Sequence, residues 1–557
     1  MNVREIKDKI SKLPSGGITV KKIKNKKTGA VYRYNVYQWR ENGRQKSRYL
    51  TDDEYEYLNF KISERKRLEG LLAVYDGEIE YDKEYYTEIL TGFKLRKSLI
   101  SVKGLNKREI ISEIEDYVYG DSFNRIFVLF GLRRTGKTTM IKQIIAEMDE
   151  DNFKKAAYVQ ISPSNDLGQL NRDLKILENK GYKYIFIDEI TLLDDFIEGA
   201  ALLSDIYAAS GMKIVLSGTD SLGFWITKSN QLYDRCILLH TTFIPYREFE
   251  NVLGIKGIDH YIRFGGTMSL SGNHYNAFAE KETTDEYIDS AIAHNIQHSL
   301  KCYQDEGHFR HLYDLYEKDE LTSAINRVVE DINHRFTIQV LTKEFASSDL
   351  ALSARNEQTV RIDKVHESEI KEYLEALDLI KDVHIADIGN FGKYEKRTAF
   401  IQAGIRYSQA KALIDSLLQD EAFSALSFDE RKYVSNRILN EIKGRMLEDV
   451  VLIETAMARP DREVFKLQFA DGEFDMVVFD SENGGCSIYE IKYSNIIEPN
   501  QYRHLIDSDK IEKTAFRYGK VEGKYVLYRG ETKNVEDIKY INVEEYLRNL
   551  ILYKKES

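Results

Sequence analysis

The run Gly131-Leu132-Arg133-Arg134-Thr135-Gly136-Lys137-Thr138-Thr139 constrains this chain more than any other stretch. Residues 125–130 before it, an arginine and five apolar residues, read as a buried strand, and in residues 140–148 after it apolar positions recur at helical spacing. G-x-x-x-x-G-K-[ST] between a strand and a helix is a phosphate-binding loop. Its glycines let backbone N–H groups approach phosphate oxygens, and the helix N-terminus adds the positive end of its dipole. Lys137 is expected to reach the β- and γ-phosphates of ATP, and the Thr138 hydroxyl to ligate Mg²⁺. Residues 184–187 form a second continuous apolar run, ending in Asp188-Glu189. That pattern suits a central parallel strand. Asp188 would hold Mg²⁺ through water and Glu189 would polarise the attacking water, adding hydrolysis to binding. Residues 213–217 read as a further core strand, after which Ser217 to Asp220 are a γ-phosphate sensor or simply a turn.

A length of 557 residues allows about three to five domains. With 80 Lys and Arg against 91 Asp and Glu, the net charge of −11 excludes a chain-wide basic coat for nucleic acid. The imbalance is local: the first 50 residues hold 14 Lys and Arg and 3 Asp and Glu, a surplus of +11. Three scattered cysteines, Cys236, Cys302 and Cys486, argue against a disulfide scaffold or a structural zinc site. The first twenty residues carry charge throughout and no apolar run approaches the ~18 residues that span a bilayer, so a cytoplasmic protein with no membrane partner is expected.

In the basic segment, Lys27-Thr28-Gly29 and Glu41-Asn42-Gly43 flank a run rich in Val, Tyr and Trp. Asn-Gly between β-prone runs signals a hairpin, so a three-stranded meander is expected over residues 18–50, then a helix capped by Thr51. Lys21, Lys22, Lys24, Lys26 and Lys27 accompany Arg33, Arg40, Arg44, Lys46 and Arg48, with Tyr32, Tyr34, Tyr37 and Trp39 interleaved. Cations neutralise phosphates and aromatics stack on bases, which suits DNA. The same pattern suits a small sheet with an aromatic core and solvated lysines.

Near the other end, residues 474–480 and 486–493 read as strands around Asn483-Gly484. With those two residues as the loop, Asp475 lies opposite Lys492, and Glu490 opposite Val477. Asp475, Glu490 and Lys492 then share a face in the D…ExK arrangement of PD-(D/E)xK nucleases. Asp475 and Glu490 would hold Mg²⁺ with a scissile phosphate, and Lys492 would orient the attacking water. Glu448, in Gly444-Arg445-Met446-Leu447-Glu448-Asp449 on the preceding helix, is a third candidate metal ligand, and Gln501 a polar residue near the phosphate. A salt-bridged hairpin on an inactive fold would show the same residues.

These motifs together resemble the prokaryotic AAA-type P-loop ATPases that carry a C-terminal restriction-endonuclease-like domain of unknown function. The resemblance spans residues 95–557 and leaves out the basic segment. It is carried by Gly131-Leu132-Arg133-Arg134 and by Leu216-Ser217-Gly218-Thr219-Asp220-Ser221-Leu222. Further anchors are Arg235 (after Asp234, where the family has glycine), Phe243 to Phe249 around Pro245, and Phe264-Gly265-Gly266-Thr267-Met268. The resemblance implies an arginine that stabilises γ-phosphate charge, with Arg235, Arg247, Arg133 and Arg134 as candidates, in cis or from a neighbouring subunit of a homo-oligomer.

The middle region reads as helical. His294, His298 and Cys302 share a helix face but lack the glutamate of H-E-x-x-H, so they are read as ordinary surface residues. A winged helix is expected next, with a first helix near Leu341 to Phe345, a second over residues 367–380 and a wing over residues 382–401. Glu367, Glu369, Glu372 and Glu375 give that second helix the wrong sign for phosphate.

The expected architecture is therefore α/β. It has a basic β-rich module (1–75), a P-loop ATPase core (95–265), a helical lid (266–320), a winged helix (321–425) and a nuclease-like domain (430–557). The expected function is a Mg²⁺-dependent ATPase working on or near nucleic acid with a metal-dependent nuclease site. The alternative is an ATP-dependent switch or scaffold with an inactive nuclease-like domain.

Overall fold

The computed structural model describes residues 12–24, 31–41, 44–51, 85–121, 124–193, 201–219, 235–241, 243–266, 364–377, 379–389, 394–417 and 427–550, with scattered positions in 54–65, at 196 and in 312–332. Lys26, Lys27, Asp220, Asp234, the histidine pair His294 and His298, and the helix expected at Leu341 lie outside them. The chain forms two units, Met1–Tyr86 and Thr87–Ser557.

In the first unit, β1 (Gly17–Lys24), β2 (Val31–Glu41) and β3 (Arg44–Tyr49) make an antiparallel sheet in that order. Glu41 pairs with Arg44, which leaves two residues between the strands, as the Asn-Gly signal requires. Tyr37 and Trp39 alternate onto one face, stack with ring centroids 5.0 Å apart, and pack with Leu58 and Ile62. Tyr34 points the other way and is exposed beside Tyr49, 5.4 Å between centroids. The aromatics therefore divide between core and surface. Thr51 caps the following helix, accepting the Glu54 N–H at 3.4 Å while its own N–H donates to the Glu54 carboxylate at 3.1 Å.

The second unit holds two sheets. The first has the order β4-β6-β7-β8-β5-β9, built from β4 (Glu88–Leu90), β5 (Ile126–Gly131), β6 (Ala156–Gln160), β7 (Tyr184–Asp188), β8 (Lys213–Gly218) and β9 (Cys236–Thr241). Only β4 runs antiparallel. Every residue of β7 and β8 is buried, which explains the apolar runs 184–187 and 214–216 within them. Because β5, β7 and β8 are neighbours and parallel, their C-terminal ends bring the phosphate loop, Asp188 and Ser217 to one edge. Gly131 is obligatory there: its φ is 143°, and a Cβ would lie 2.2 Å from the Thr241 hydroxyl oxygen. The helix Lys137–Glu147 leaves the loop from Gly136, at φ 90°.

The second sheet contains β10 (Ile380–Asp387), β11 (Tyr394–Phe400), β12 (Glu463–Gln468), β13 (Glu473–Asp480), β14 (Gly485–Ile491), β15 (Val521–Tyr528), β16 (Lys533–Val535) and β17 (Ile538–Asn542). Its order is β11-β10-β12-β13-β14-β15-β17-β16. The strand pair read as a wing is therefore the edge of this sheet, since β10 runs parallel to β12 with Ile385 beside Lys466. Burial explains it: Val383 and Ala399 join the core beneath the helix Phe428–Ala458, which a free wing would leave in water. The helix before it spans Lys364–Ala376, because Leu377 and Leu379 are buried in the turn that leads into β10.

The helices after β9 enter the core of the second sheet. Helices Tyr246–Leu253 and Ile258–Phe264 follow β9, and Tyr246, Phe249, Ile258, Tyr261 and Ile262 pack with Met446, Val450, Met476 and Ile491. Polar contacts run along the same path. Arg108, 3% exposed, donates from Nε to Glu248 at 2.9 Å and from Nη1 to the carbonyl of Thr135, in the phosphate loop, at 2.9 Å. Two residues away in sequence, the Tyr246 N–H donates to Glu454 on the long helix at 2.9 Å.

Glu248→Ala strands the Arg108 guanidinium in the interior. A loss of about 3–5 kcal/mol in urea unfolding is expected, and an unchanged midpoint would contradict the role given to the pair. Burial raises the Glu454 carboxyl to about 7 from 4.5, against the opposing pull of the Tyr246 N–H. An acid raised in the folded state costs stability as pH rises from its unfolded to its folded value. Glu454→Gln keeps the acceptor and removes the titration. Its stability relative to wild type should therefore rise between pH 5 and pH 8, by on the order of 3 kcal/mol; a pH-independent difference would refute this.

Candidate functional site

Asp188 is the hub of the first site. Its Oδ2 accepts the Thr138 hydroxyl at 2.8 Å and the Tyr158 hydroxyl at 2.6 Å. Its Oδ1 accepts the Ser217 hydroxyl and the Glu189 N–H. Ser217 thus steadies the carboxylate. A hydroxyl and a carboxylate in this contact are hard oxygen donors, a fitting pair for Mg²⁺. Lys137 donates to the carbonyls of Gly131 and Leu132 at 2.8 and 2.7 Å. Thr135 braces the loop, donating to Leu132 at 2.9 Å and lying 2.9 Å from the Thr241 hydroxyl. Arg133 is exposed, and Thr139 half-buried in the first helical turn.

Glu189 and Arg134 both take left-handed backbone, at φ 58° and 67°. For residues with a Cβ this costs about 1–3 kcal/mol each, and it persists where neighbours enforce it. Burial, then the Asp188 charge, raise the Glu189 pKa, while Lys137 and Arg133 oppose the rise. A raised carboxylate is a stronger base once ionised.

The arginine candidates separate. Arg235 precedes β9, and its neighbour Cys236 pairs with Ile126 at the start of β5. That is the opposite end of the sheet from the loop, about 17 Å away along the strand. There it pairs with Asp205 at 3.0 Å, so it does not reach the loop within its own chain. Arg247 is buried against Glu109. Arg133 and Arg134 remain in the loop itself. Tyr158 escaped sequence reading because it sits in an apolar strand whose neighbour β7 cannot be known from spacing.

The second site is a cavity of about 660 Å³ between the long helix and β12–β14, lined by Glu448, Glu473, Asp475, Glu490 and Lys492. The hairpin register differs from the expected one: Asp480 pairs with Gly485 and Val477 with Ile488, so residues 481–484 form the loop. The reason is local. The Asp480 carboxylate accepts the N–H groups of Glu482 and Asn483 at 3.1 and 3.0 Å, an Asx turn that outcompetes the tight Asn-Gly loop. Each partner moves by two positions, and a period-2 strand keeps its faces under an even shift. Lys492 Nζ therefore still lies 2.9 Å from Asp475 and 2.6 Å from Glu490.

Glu448 enters from the long helix, but its carboxylate meets Lys466 at 2.7 Å. Glu448, Glu473 and Asp475 each offer an oxygen within 4.8 Å of the others, a grouping able to hold a metal ion. Glu473 and Lys466 were absent from the expected set. Glu473-Phe474-Asp475 was readable as two acids on one strand face, whereas Lys466 on β12 has no motif. Gln501 does not reach the cavity: it is buried, donating to Ile496 at 2.8 Å and accepting from Glu498 at 3.1 Å. Burial raises the Asp475 pKa, but Lys492 and Lys466 outweigh it and hold the carboxyl well below its usual range. Burial and the Asp475 charge push Glu490 well above its usual range. Against burial, Asp475 and Glu490 keep Lys492 firmly protonated.

Among the described residues, no helix is long and apolar enough to cross a membrane. Residues 2–58 match the family model of a domain of unknown function, DUF6788. An uncharacterized protein of Methanocaldococcus jannaschii is 25% identical over 238 residues, covering 38% of this chain and 52% of its own. The chain thus spans about half the length of this relative. Among solved structures, the S. cerevisiae Hsp104–ADP complex is 14% identical, covering 66% of this chain and 62% of its own, at a TM-score of 0.28. The Aeropyrum pernix Orc1 protein in complex with DNA is 13% identical, covering 59% and 98%, at a TM-score of 0.24. Residues 123–250 match the family model of an AAA domain, and with the loop, Asp188 and Glu189 in place they form an AAA-type P-loop ATPase domain.

Proposed function

We propose that this protein is a Mg²⁺-dependent ATPase acting on nucleic acid, with a metal-dependent phosphodiesterase site in the acidic cavity. In the ATPase domain, Lys137 neutralises the β- and γ-phosphates, Thr138 and Asp188 hold Mg²⁺, and Glu189 takes the water proton. Tyr158 and Ser217 keep Asp188 oriented. In the cavity, Asp475 and Glu490 are the metal ligands, and a divalent cation held there supplies charge neutralisation to a scissile phosphate. Lys492, pinned between both carboxylates, orients the attacking water.

The observation that carries the reading is Lys492 Nζ within 2.9 Å of two carboxylates from adjacent strands, in a cavity large enough for a phosphodiester. A purely structural ion pair needs no such opening. In the N-terminal unit, exposed Lys21, Lys46, Tyr34 and Tyr49 are the residue types that grip a nucleic-acid strand.

The test incubates linear and circular DNA with Mg²⁺ or Mn²⁺, with and without ATP, using wild type, Lys137→Ala and Lys492→Ala. Wild type should cut, Lys492→Ala should lose at least about 100-fold, and Lys137→Ala should lose ATP hydrolysis. Hydrolysis of ATP without cleavage of any DNA form would leave an ATP-driven switch with a structural cavity.

A further inference from the structure

We infer that Lys466 is the resident cation of the acidic cavity and restricts it to a single divalent ion, held by Asp475 and Glu490. The inference rests on the metal-dependent reading of this cavity proposed above.

Three converging carboxylates, Glu448, Glu473 and Asp475, would by themselves invite a metal. With Glu490 added, the cavity resembles the donor set of a two-ion site, where cations lie ≈ 3.5–4 Å apart. Lys466 changes that. Its Nζ lies 2.7 Å from Glu448 and 3.4 Å from Glu473, so the ammonium already covers the oxygens a second ion would need. It is held there by its backbone. β12 lies between β10 and β13, and the Lys466 residue is only 3% exposed, with no solvent direction to retreat into.

The open donors belong to Glu490 and Asp475. Glu490 Oε2 receives Lys492 at 2.6 Å, while Glu490 Oε1 is buried with no hydrogen-bond partner among the described residues. Glu490 is 2% exposed and lines the cavity, so this oxygen is a desolvated acceptor at the cavity wall. Such an oxygen is costly unless something binds it. On Asp475, the Ile491 N–H at 2.8 Å and Lys492 at 2.9 Å both donate to Oδ2, so Oδ1 is the atom it offers.

The test is a Mn²⁺ titration of the nucleotide-free full chain, by calorimetry and by electron paramagnetic resonance. Asp475→Asn defines which ions belong to the cavity. Wild type should bind one such ion, Lys466→Arg one, and Lys466→Met two. Two ions in wild type, or one in folded Lys466→Met, would overturn the inference and leave the nuclease reading standing. If Lys466→Met does not fold, the wild-type count still decides. No Asp475-dependent Mn²⁺ in any protein would overturn both the inference and the metal-dependent reading.

Discussion

The buried pair between Arg108 and Glu248 is the contact on which the arrangement of this molecule turns. One guanidinium holds a phosphate-loop carbonyl and a carboxylate from the helix after β9. That helix is sunk, through Tyr246 and Phe249, into the core beneath the second sheet. Loop position and core packing are consequently not independent. Pairs of this kind contribute little net stability relative to an apolar core, but removing one partner is costly, so they enforce a geometry.

A second set of ties continues toward the cavity. Asp259, on the next helix, accepts Tyr493 and pairs with Arg529 and Lys443. Tyr493 follows Lys492 in sequence, and Lys443 lies on the helix that carries Glu448. The helix Ile258–Phe264 thus grips the cavity wall from both the strand that supplies the lysine and the helix that supplies an acid. Asp449, beside Glu448, is turned the other way, buried between Arg397 and Arg406, which fixes the rotation of that helix.

What could be read from the chain alone followed from physical locality. The phosphate loop, the strand ending in Asp188 and the D…ExK hairpin are each contiguous, and each was legible at its own position. The hairpin survived an error in its loop because only the parity of the register matters to its faces. The wing was misassigned because a parallel pairing such as Ile385 with Lys466 joins residues 81 positions apart and leaves no local trace. Tyr158, Lys466 and Glu473 were overlooked for the related reason that their roles depend on neighbouring strands. Arg235 is suitable by motif, yet strand direction puts it at the far end of the sheet from its own chain's phosphate loop.

The nucleotide site and the acidic cavity are joined through the helix Tyr246–Leu253, which is tied to the phosphate loop by Arg108 at Glu248 and enters the second sheet's core at Tyr246 and Phe249. Hydrogen exchange tests it directly, comparing the full chain with and without ATP and Mg²⁺, beside Lys137→Ala. The account predicts that ATP slows exchange at the phosphate loop, at Tyr246–Leu253 and along Phe428–Ala458 near Glu448, and that Lys137→Ala abolishes all three effects. Protection confined to the phosphate loop and its helix, with no change at Tyr246–Leu253 or Phe428–Ala458, would contradict it.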